Sequence, residues 1–474
     1  MTMLLRQIGI AAMGLSVGLG SSAGAGAYEL KFQGNDYGEL KGRIRAMSIL
    51  TAKDNGWDPS SGNAYAAMLS YKSPSWNGFR FNTAAYLNGD IFGSTDFDPK
   101  VGDGRTARGM FLNDTGAQKG QLTNVNLTFG NKQLYAFGGR GQVDTPLTIN
   151  TYNLVPNAYT ALRAGAKPIE GLDISLGQIT QMSFGTRAMT DWGFIGEATG
   201  TAGVAQAPNQ SGLGQAEFFN LGQIALGPRA ENISGLTVAS ISYAGLPHTK
   251  LALWNYYTQD ISNSVYFDVD AKIPLNKMKL DLGAQYLRQD DVGDGTKGIQ
   301  GGPSIQANFG DGNLDYNLFG LKAGLIGPKK KWTAHAMWNQ SDGDTAFFNA
   351  FGGDPAYTSS IFSRNAYRQN VNAWGLRASY EIIPGLRFMA AYFDYGKSET
   401  IGGVPNVTPA AVPTSNAEEL DLVLTYKPKQ VKGLTIRTFY VNRTSEYDGF
   451  VNPRTGNKAD ATMSHWRLIA TYSF

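Results

Sequence analysis

Basic side chains recur at every second residue in one segment near the start of the chain. Lys41, Arg43 and Arg45 are separated by small or apolar residues. Because successive side chains of an extended strand point to opposite faces, these cations share one face at a spacing of about 6.6 Å, twice the rise per residue. Such a row suits two kinds of chemistry: binding anionic groups at successive positions, or ion pairing with acidic side chains of the same wall.

Further charged residues follow the same alternation in later segments. The basic ones are Arg80, Arg163, Arg377, Arg387, Arg437 and Arg467. The acidic ones are Asp268, Asp270, Glu381, Glu419 and Asp421. The sequence leaves open whether the arginines guide solutes or are braced by the carboxylates.

The residues expected of an enzyme or a metal site do not occur together. None of the three histidines, His248, His335 and His465, accompanies a serine motif or a pair of closely spaced carboxylates. The absence of cysteine excludes thiolate metal sites and a disulfide scaffold. The Asp-rich segments 290–295 and 311–315 lack the terminal Glu of a calcium loop, which leaves solvated turns or loose cation bridging to lipopolysaccharide. We therefore expect no catalytic residue, no cofactor and no bound metal.

The start of the chain has the three regions of a secretory signal peptide, over residues 1–27. Arg6 precedes an apolar stretch from Ile8 to Leu19, and the small residues Ala25 to Ala27 form the cleavage site. The apolar stretch is shorter than the roughly 20 residues of a membrane-spanning helix. The mature protein is expected to begin near Tyr28.

The end of the chain alternates in the manner of a strand between lipid and a wet lumen. Trp466, Leu468 and Tyr472 fall on one face with the terminal Phe474, and Arg467 falls on the other. An exported chain with this ending is typical of an outer-membrane β-barrel, and Phe474 is expected to be recognised by the outer-membrane assembly machinery. A charge on the lipid face near the midplane would cost roughly 2–4 kcal/mol, so the alternating arginines are expected to face the lumen.

Short turns divide the chain into alternating segments. Eight are predicted: Lys72–Gly78, Gly130–Lys132, Lys167–Gly171, Gly227–Gly235, Pro274–Lys277, Gly327–Lys331, Ile382–Gly385 and Lys427–Gly433. With the first and last strands they predict an all-β fold, a transmembrane antiparallel β-barrel of about 18 strands that forms one domain, residues 28–474. The segment Leu251 to Tyr257 fits a separate strand or an extension of one. We expect an extension, because an extra strand would place the 290–302 loop on the wrong side.

Long connections separate these hairpins, and they are rich in Gly, Asp, Asn, Ser and Thr. They span residues 53–63, 88–120, 140–157, 181–215, 289–302, 339–370, 396–417 and 444–461. We expect long extracellular surface loops opposite short periplasmic turns, around an aqueous channel.

One region resembles the third loop of the OprD-type outer-membrane porins, a family of substrate-selective Gram-negative channels. The similar segments are Gly141 to Leu147, Leu154 to Tyr159 and Gly171 to Gln178. In that family the third loop folds inward as a constriction, and a ladder of arginines draws anionic groups along the wall. The Ala/Gly-rich loop 181–215 has no recognisable counterpart, so the choice of substrate cannot be carried over.

The resemblance implies roles for two sets of residues. The constriction-loop candidates are Arg140, Asp144 and Thr145. The ladder candidates are Lys41, Arg43 and Arg45. Strand alternation, rather than the resemblance, adds the pore-lining candidates Arg80, Arg163, Arg377, Arg437 and Arg467.

These features predict a porin that allows passive diffusion of small hydrophilic solutes, above all anionic or carboxylate-bearing ones, across the outer membrane. The alternative is a general, non-selective trimeric porin. The expected partners are outer-membrane lipid, lipopolysaccharide and the solutes, in a monomer or a homotrimer. The 41 basic and 38 acidic residues nearly cancel, which argues against a nucleic-acid partner.

Overall fold

The structure, a computed structural model, describes residues 28–32, 35–53, 60–91, 119–149, 154–183, 218–221, 234–294, 313–345, 347–349, 353–362, 369–398, 416–446 and 460–474. The predicted signal peptide lies outside these ranges and stays a prediction. Within them, no helix is long and apolar enough to cross a membrane.

Twenty β-strands make up the sheet formed by the described residues. The first ten are β1 (Tyr28–Phe32), β2 (Asn35–Lys53), β3 (Ser60–Lys72), β4 (Phe79–Asp90), β5 (Lys119–Gly130), β6 (Leu134–Gly141), β7 (Ala158–Ala166), β8 (Leu172–Ser183), β9 (Phe219–Asn220) and β10 (Leu236–Leu246). The others are β11 (Thr249–Thr258), β12 (Ser262–Leu275), β13 (Met278–Asp291), β14 (Asp315–Ile326), β15 (Trp332–Asp342), β16 (Asn372–Ile383), β17 (Leu386–Tyr395), β18 (Asn416–Tyr426), β19 (Leu434–Glu446) and β20 (Ala461–Ser473).

Eighteen of these strands close into an antiparallel barrel, which confirms the predicted fold class. Strands β2 to β8 pair in chain order, β8 pairs with β10, β10 to β20 pair in order, and β20 pairs with β2. At this seam the Phe474 N–H donates to the Gly42 carbonyl oxygen (2.9 Å), and the Gly42 N–H donates to that of Phe474 (2.7 Å). The two remaining strands, β1 and β9, extend the edges of β2 and β8.

Seven of the eight predicted turns join strands at the periplasmic end. Glycine is required at some of them: Gly385 has a φ of +88°, and a Cβ there would collide with the carbonyl oxygen of Lys427.

The interpretation of residues 236–273 is wrong. The segment Leu251 to Tyr257 lies in a separate strand, β11, and the periplasmic turn is Pro247–His248 rather than Gly227–Gly235. His248 adopts the left-handed conformation that such a turn needs, with a φ of 61°, so no glycine marks the turn in the sequence. The number of barrel strands is still 18. The separate strand β11 adds one, whereas the segment before β10 contributes only the two-residue β9 to the described sheet, so that β8 pairs directly with β10.

The two faces of the strands follow the predicted alternation. On β20, Trp466 is exposed on the lipid side, whereas His465 and Arg467 are buried on the lumen side. On β7, Leu162 is 67% exposed and the neighbouring Arg163 points inward to Ser175 of β8. Exposed leucine and aromatic side chains therefore form the lipid-facing surface, and the charged ladder faces the interior.

Candidate functional site

The loop after β6 folds into the lumen, as the resemblance implied. Val143 and Leu147 are buried against inward-facing side chains that include Tyr256 of β11 and Leu318 of β14. Further along the loop, Leu154 joins Met47 of β2 in a second buried cluster. The loop thus contacts well-separated parts of the wall.

A local hydrogen-bond network shapes the tip of this loop. The Thr145 N–H donates to the Thr148 hydroxyl (3.0 Å), the Thr148 N–H donates to the Thr145 carbonyl oxygen (3.1 Å), and Tyr159 donates its hydroxyl to the Thr148 carbonyl oxygen (2.9 Å). Thr145 is only 3% exposed, so it holds the turn rather than lining the open lumen. The neighbouring Asp144 side chain reaches solvent, but the surrounding loop partly desolvates its carboxyl and so raises the pKa of that group above the ordinary value.

A second loop, between β15 and β16, also folds inward. Phe347 and Phe348 are buried in the same cluster as Leu147. The backbone of Phe348 is held on both sides by Gln289 of β13: its N–H donates to Oε1 (2.7 Å), and its carbonyl oxygen accepts from Nε2 (2.8 Å). The prediction of a surface loop over residues 339–370 is therefore wrong for its described part.

Other wall side chains hold the same loop along its course. Gln285 of β13 accepts from the Tyr357 N–H (3.1 Å) and donates to the Pro355 carbonyl oxygen (3.0 Å). Asn339 of β15 accepts from the Thr358 N–H (2.9 Å). These amides satisfy backbone groups that would otherwise be buried without partners.

Two acidic residues of β18 hold the far end of the loop. The Phe362 N–H donates to Glu419 Oε1 (2.8 Å), and the Ile361 N–H donates to Asp421 Oδ2 (3.1 Å). These carboxylates, predicted as possible partners for arginines, thus bind the backbone of the inward loop.

The two inward loops contact each other inside the barrel. The Gly353 N–H and the Asn349 side-chain amide both donate to the Leu147 carbonyl oxygen, at 3.0 and 3.2 Å. A Cβ at Gly353 would lie 2.6 Å from Leu147 Cα, so only glycine permits this approach. Together the loops form one constriction, which we define as residues 142–149, 154–157, 347–349 and 353–362.

The predicted ladder lies on the wall formed by β19, β20 and β2. Arg43 donates from Nη2 to the Tyr86 hydroxyl (2.8 Å), with its Cζ 5.4 Å from that ring, and Arg45 donates from Nε to Thr471 Oγ1 (3.1 Å). Lys41, lower on the strand and 56% exposed, lies 3.8 Å from a Glu39 carboxylate oxygen.

Two more predicted arginines extend this wall. Arg437 of β19 donates from Nε to Thr425 Oγ1 (3.2 Å). Arg467 of β20 has its Cζ 5.8 Å from the ring of Phe362 in the inward loop. We call Arg43, Arg45, Arg437 and Arg467 the basic wall.

The remaining ladder candidates are spread around the barrel. Arg163 of β7 donates to Ser175 Oγ (2.9 Å from Nη2), and Arg377 of β16 has its Cζ 5.5 Å from the Phe393 ring. Arg80 of β4 shares the lumen parity of Tyr86 and lies opposite Thr128 of β5. All three face the lumen, but away from the basic wall.

Arg140 does not lie in the constriction. In the register of β6 and β7 it lies opposite Thr160, whereas the next residue, Gly141, lies opposite the inward-facing Tyr159. The exposed Arg140 guanidinium instead has its Cζ 4.2 Å from the ring of Phe218. The interpretation of Arg140 as a constriction residue fails because the parity of the strand turns its side chain away from the lumen.

The opposite wall, on β12 to β15, pairs its charges. Lys322 Nζ lies 3.2 Å from Asp270 Oδ1 and 3.3 Å from Asp281 Oδ1, and His335 Nε2 lies 2.9 Å from Asp281 Oδ2. Tyr357 of the inward loop donates to Asp268 (2.8 Å). Among the described residues there is no group of three or more His, Asp or Glu side chains arranged to hold a metal ion.

Comparison with known proteins agrees with this architecture. The family profile described as outer membrane porin, OprD family, matches residues 101–474. Solved structures with a similar fold include Pseudomonas aeruginosa OpdK with vanillate (TM-score 0.66, 13% identity), P. aeruginosa OccK9, also named OpdG (0.67, 15%), and Acinetobacter baumannii OccAB4 (0.64, 15%). Each alignment covers 92% of this chain and 98% of the other. No curated protein sequence matches the chain. Because the profile covers most of the sequence, the chain belongs to the OprD family of outer membrane porins.

Proposed function

We propose that this porin favours small hydrophilic solutes that carry a carboxylate, and that the basic wall gives this preference. The family and fold are those of a channel protein of the outer membrane rather than of an enzyme. The proposal concerns which solutes pass, and it rests on the contrast between the two charged walls.

The contrast lies in what the cations contact. On the β12 to β15 wall, Lys322 bridges two aspartates, which is the pattern of bracing. On the basic wall, Arg43 and Arg437 contact hydroxyl groups and aromatic rings, and neither has a carboxylate within 4.0 Å among the described residues. Their charges are therefore available to a solute.

The arrangement carries an electrostatic cost that an anion would offset. Arg45 lies opposite Thr471 and Arg437 lies opposite Ile469 on the intervening strand β20, so their backbones are two strand spacings apart across the sheet and two residues apart along it, about 12 Å in all. Like charges at that distance repel by about 1.4 kcal/mol at an effective dielectric constant of 20. A carboxylate between them turns this repulsion into attraction, which raises the local concentration of anionic solutes.

The constriction supports selectivity over free passage. Two inward loops in mutual contact narrow the lumen, and one of them brings Phe362 against Arg467 of the basic wall. A solute that passes the constriction is thereby kept close to the cations. This argues for a selective pore over the general trimeric porin; monomer or homotrimer stays a prediction.

Uptake into liposomes tests the proposal. Vanillate, which the OpdK structure contains, and vanillyl alcohol form a probe pair that differs in the carboxylate. We expect vanillate to enter faster than vanillyl alcohol, and the ratio to fall toward one in an Arg43→Gln/Arg437→Gln variant.

The matched control is Lys132→Gln/Lys277→Gln, which removes two charges from periplasmic turns and should leave the ratio unchanged. Equal rates for the two probes through the unmodified barrel would refute the proposed preference.

A further inference from the structure

Three periplasmic turns in one sector of the barrel are rich in lysine. They are the β12–β13, β14–β15 and β18–β19 turns with their flanking residues. We call their eight exposed lysines the basic sector: Lys277, Lys279, Lys329, Lys330, Lys331, Lys427, Lys429 and Lys432.

The basic sector is not neutralised by the protein. In the part of the chain that the structure describes, none of its lysines has a carboxylate within 4.0 Å, whereas Lys167, Lys272 and Lys322 elsewhere each have one. The barrel therefore presents a block of positive charge at this end.

In the β14–β15 turn, lysine occupies two positions whose backbone conformation does not favour it. Lys329 and Lys330 both adopt the left-handed region, with φ of 51° and 58°. The β3–β4 and β12–β13 turns use asparagine there, Asn77 and Asn276, which tolerates this conformation better. Because asparagine would serve the turn better, the charge is the property that lysine adds.

Neighbouring hairpins hold this turn in place. Arg387 donates from Nη2 to the Lys330 carbonyl oxygen (2.6 Å), and the Glu381 N–H donates to that of Lys331 (2.7 Å). The lysines are therefore presented on a fixed backbone.

The basic sector lies directly below an apolar and aromatic belt. Tyr380 (46%), Ile382 (50%) and Ile383 (54%) are exposed at the end of β16, the strand that pairs with β15, and Leu275 (50%) is exposed at the end of β12. The Lys331 ammonium lies 5.5 Å from the Tyr380 ring. Because tyrosines mark the edge of the hydrocarbon layer, lysines adjoining them lie at the height of the lipid headgroups.

We propose that the basic sector binds the headgroups of anionic phospholipids in the periplasmic leaflet of the outer membrane. The proposal rests on charge complementarity, because negatively charged phosphate headgroups lie next to unneutralised lysine ammonium groups at the edge of the hydrocarbon layer. Each lysine at such a surface strengthens association by about fivefold. An acidic cell-wall polymer would also meet these charges, but it would not require the lysines to adjoin the aromatic belt.

Spin-labelled lipids test this assignment. The full-length barrel is reconstituted in phosphatidylcholine, and the association of spin-labelled phosphatidylglycerol is measured relative to spin-labelled phosphatidylcholine by electron paramagnetic resonance. The test variant is Lys329→Asn/Lys330→Asn/Lys429→Gln, in which asparagine keeps the left-handed turn favourable. The control, Lys72→Gln/Lys132→Gln/Lys250→Gln, removes the same charge from other turns.

We expect the unmodified barrel to prefer phosphatidylglycerol, the test variant to lose most of this preference, and the control to keep it. High salt should weaken the preference of the unmodified barrel, a readout that needs no variant. The proposal is overturned if the unmodified barrel shows no preference, or if variant and control behave alike. It is also overturned if the test variant keeps its lipid preference and loses only co-sedimentation with purified peptidoglycan, which would assign the lysines to the cell wall.

Discussion

Releasing the inward loop between β15 and β16 should widen the pore without unfolding the barrel. Replacing Gln285 and Gln289 with leucine removes four hydrogen bonds to the loop backbone, at Phe348, Pro355 and Tyr357. At a net 0.5–1.5 kcal/mol each, the loss amounts to about 2–6 kcal/mol. The population of the inward loop relative to a released loop should therefore fall by about 30-fold to 10⁴-fold. The strand ladder of β13 does not use these side chains, so the barrel should still close.

Single-channel recording in planar bilayers measures the effect. We expect the double variant to show higher conductance and more frequent transitions between levels, with unchanged heat-modifiable migration of the folded barrel. The matched control is Gln178→Leu, a glutamine on the lipid-side parity of β8 that bonds with Thr237. Conductance equal to that of the unmodified barrel would mean that Gln285 and Gln289 do not hold the constriction, and the reasoning would fail.

Two further predictions concern close packing. Gly353→Ala should separate the two inward loops and raise conductance, because the added Cβ would lie 2.6 Å from Leu147 Cα. The control Gly120→Ala should leave conductance unchanged, because no atom lies within 4 Å of its added Cβ. Equal conductance for both variants would contradict the packing argument. Deleting Phe474 removes the two hydrogen bonds to Gly42 at one end of the β2–β20 seam, so the yield of folded barrel should fall several-fold on a heat-modifiability gel. Phe474→Tyr keeps both backbone bonds and should assemble normally.

Much of the barrel could be predicted because its rules are local. The alternation of side chains along a strand predicts that Arg43 and Arg467 face the lumen. Gly385 and Gly433 mark turns because the backbone there has a positive φ, which favours glycine. The Pro247–His248 turn is not predictable from the sequence, because His248 adopts the left-handed conformation, which histidine seldom does.

The constriction could be predicted only in part, because it depends on tertiary contacts. The loop after β6 was found through its resemblance to a family. The second inward loop carries no such motif, and its position is set by distant wall residues such as Gln289 and Glu419. Its adjacent aromatics, Phe347 and Phe348, were the available signal, since an exposed loop seldom carries such a pair.

The contacts of the charged residues differ between the two walls of the barrel. Lys322 is braced by aspartates, and Glu419 and Asp421 hold a loop. Arg43 and Arg437 are the cations that fit solute guidance best, because they contact hydroxyl groups and rings. Under the proposed function, bracing and guidance lie on different walls of the same barrel.

The reversal potential of single channels in a potassium chloride gradient tests the central claim most directly. The unmodified barrel should be anion-selective, more strongly near 0.01 M salt, where the screening length is about 30 Å, than at 0.1 M, where it is about 10 Å. Arg43→Gln/Arg437→Gln should shift the reversal potential toward cations, and Lys132→Gln/Lys277→Gln should not. An unchanged reversal potential at low salt, with only a loss of thermal stability in the arginine variant, would contradict the account and assign these arginines to bracing.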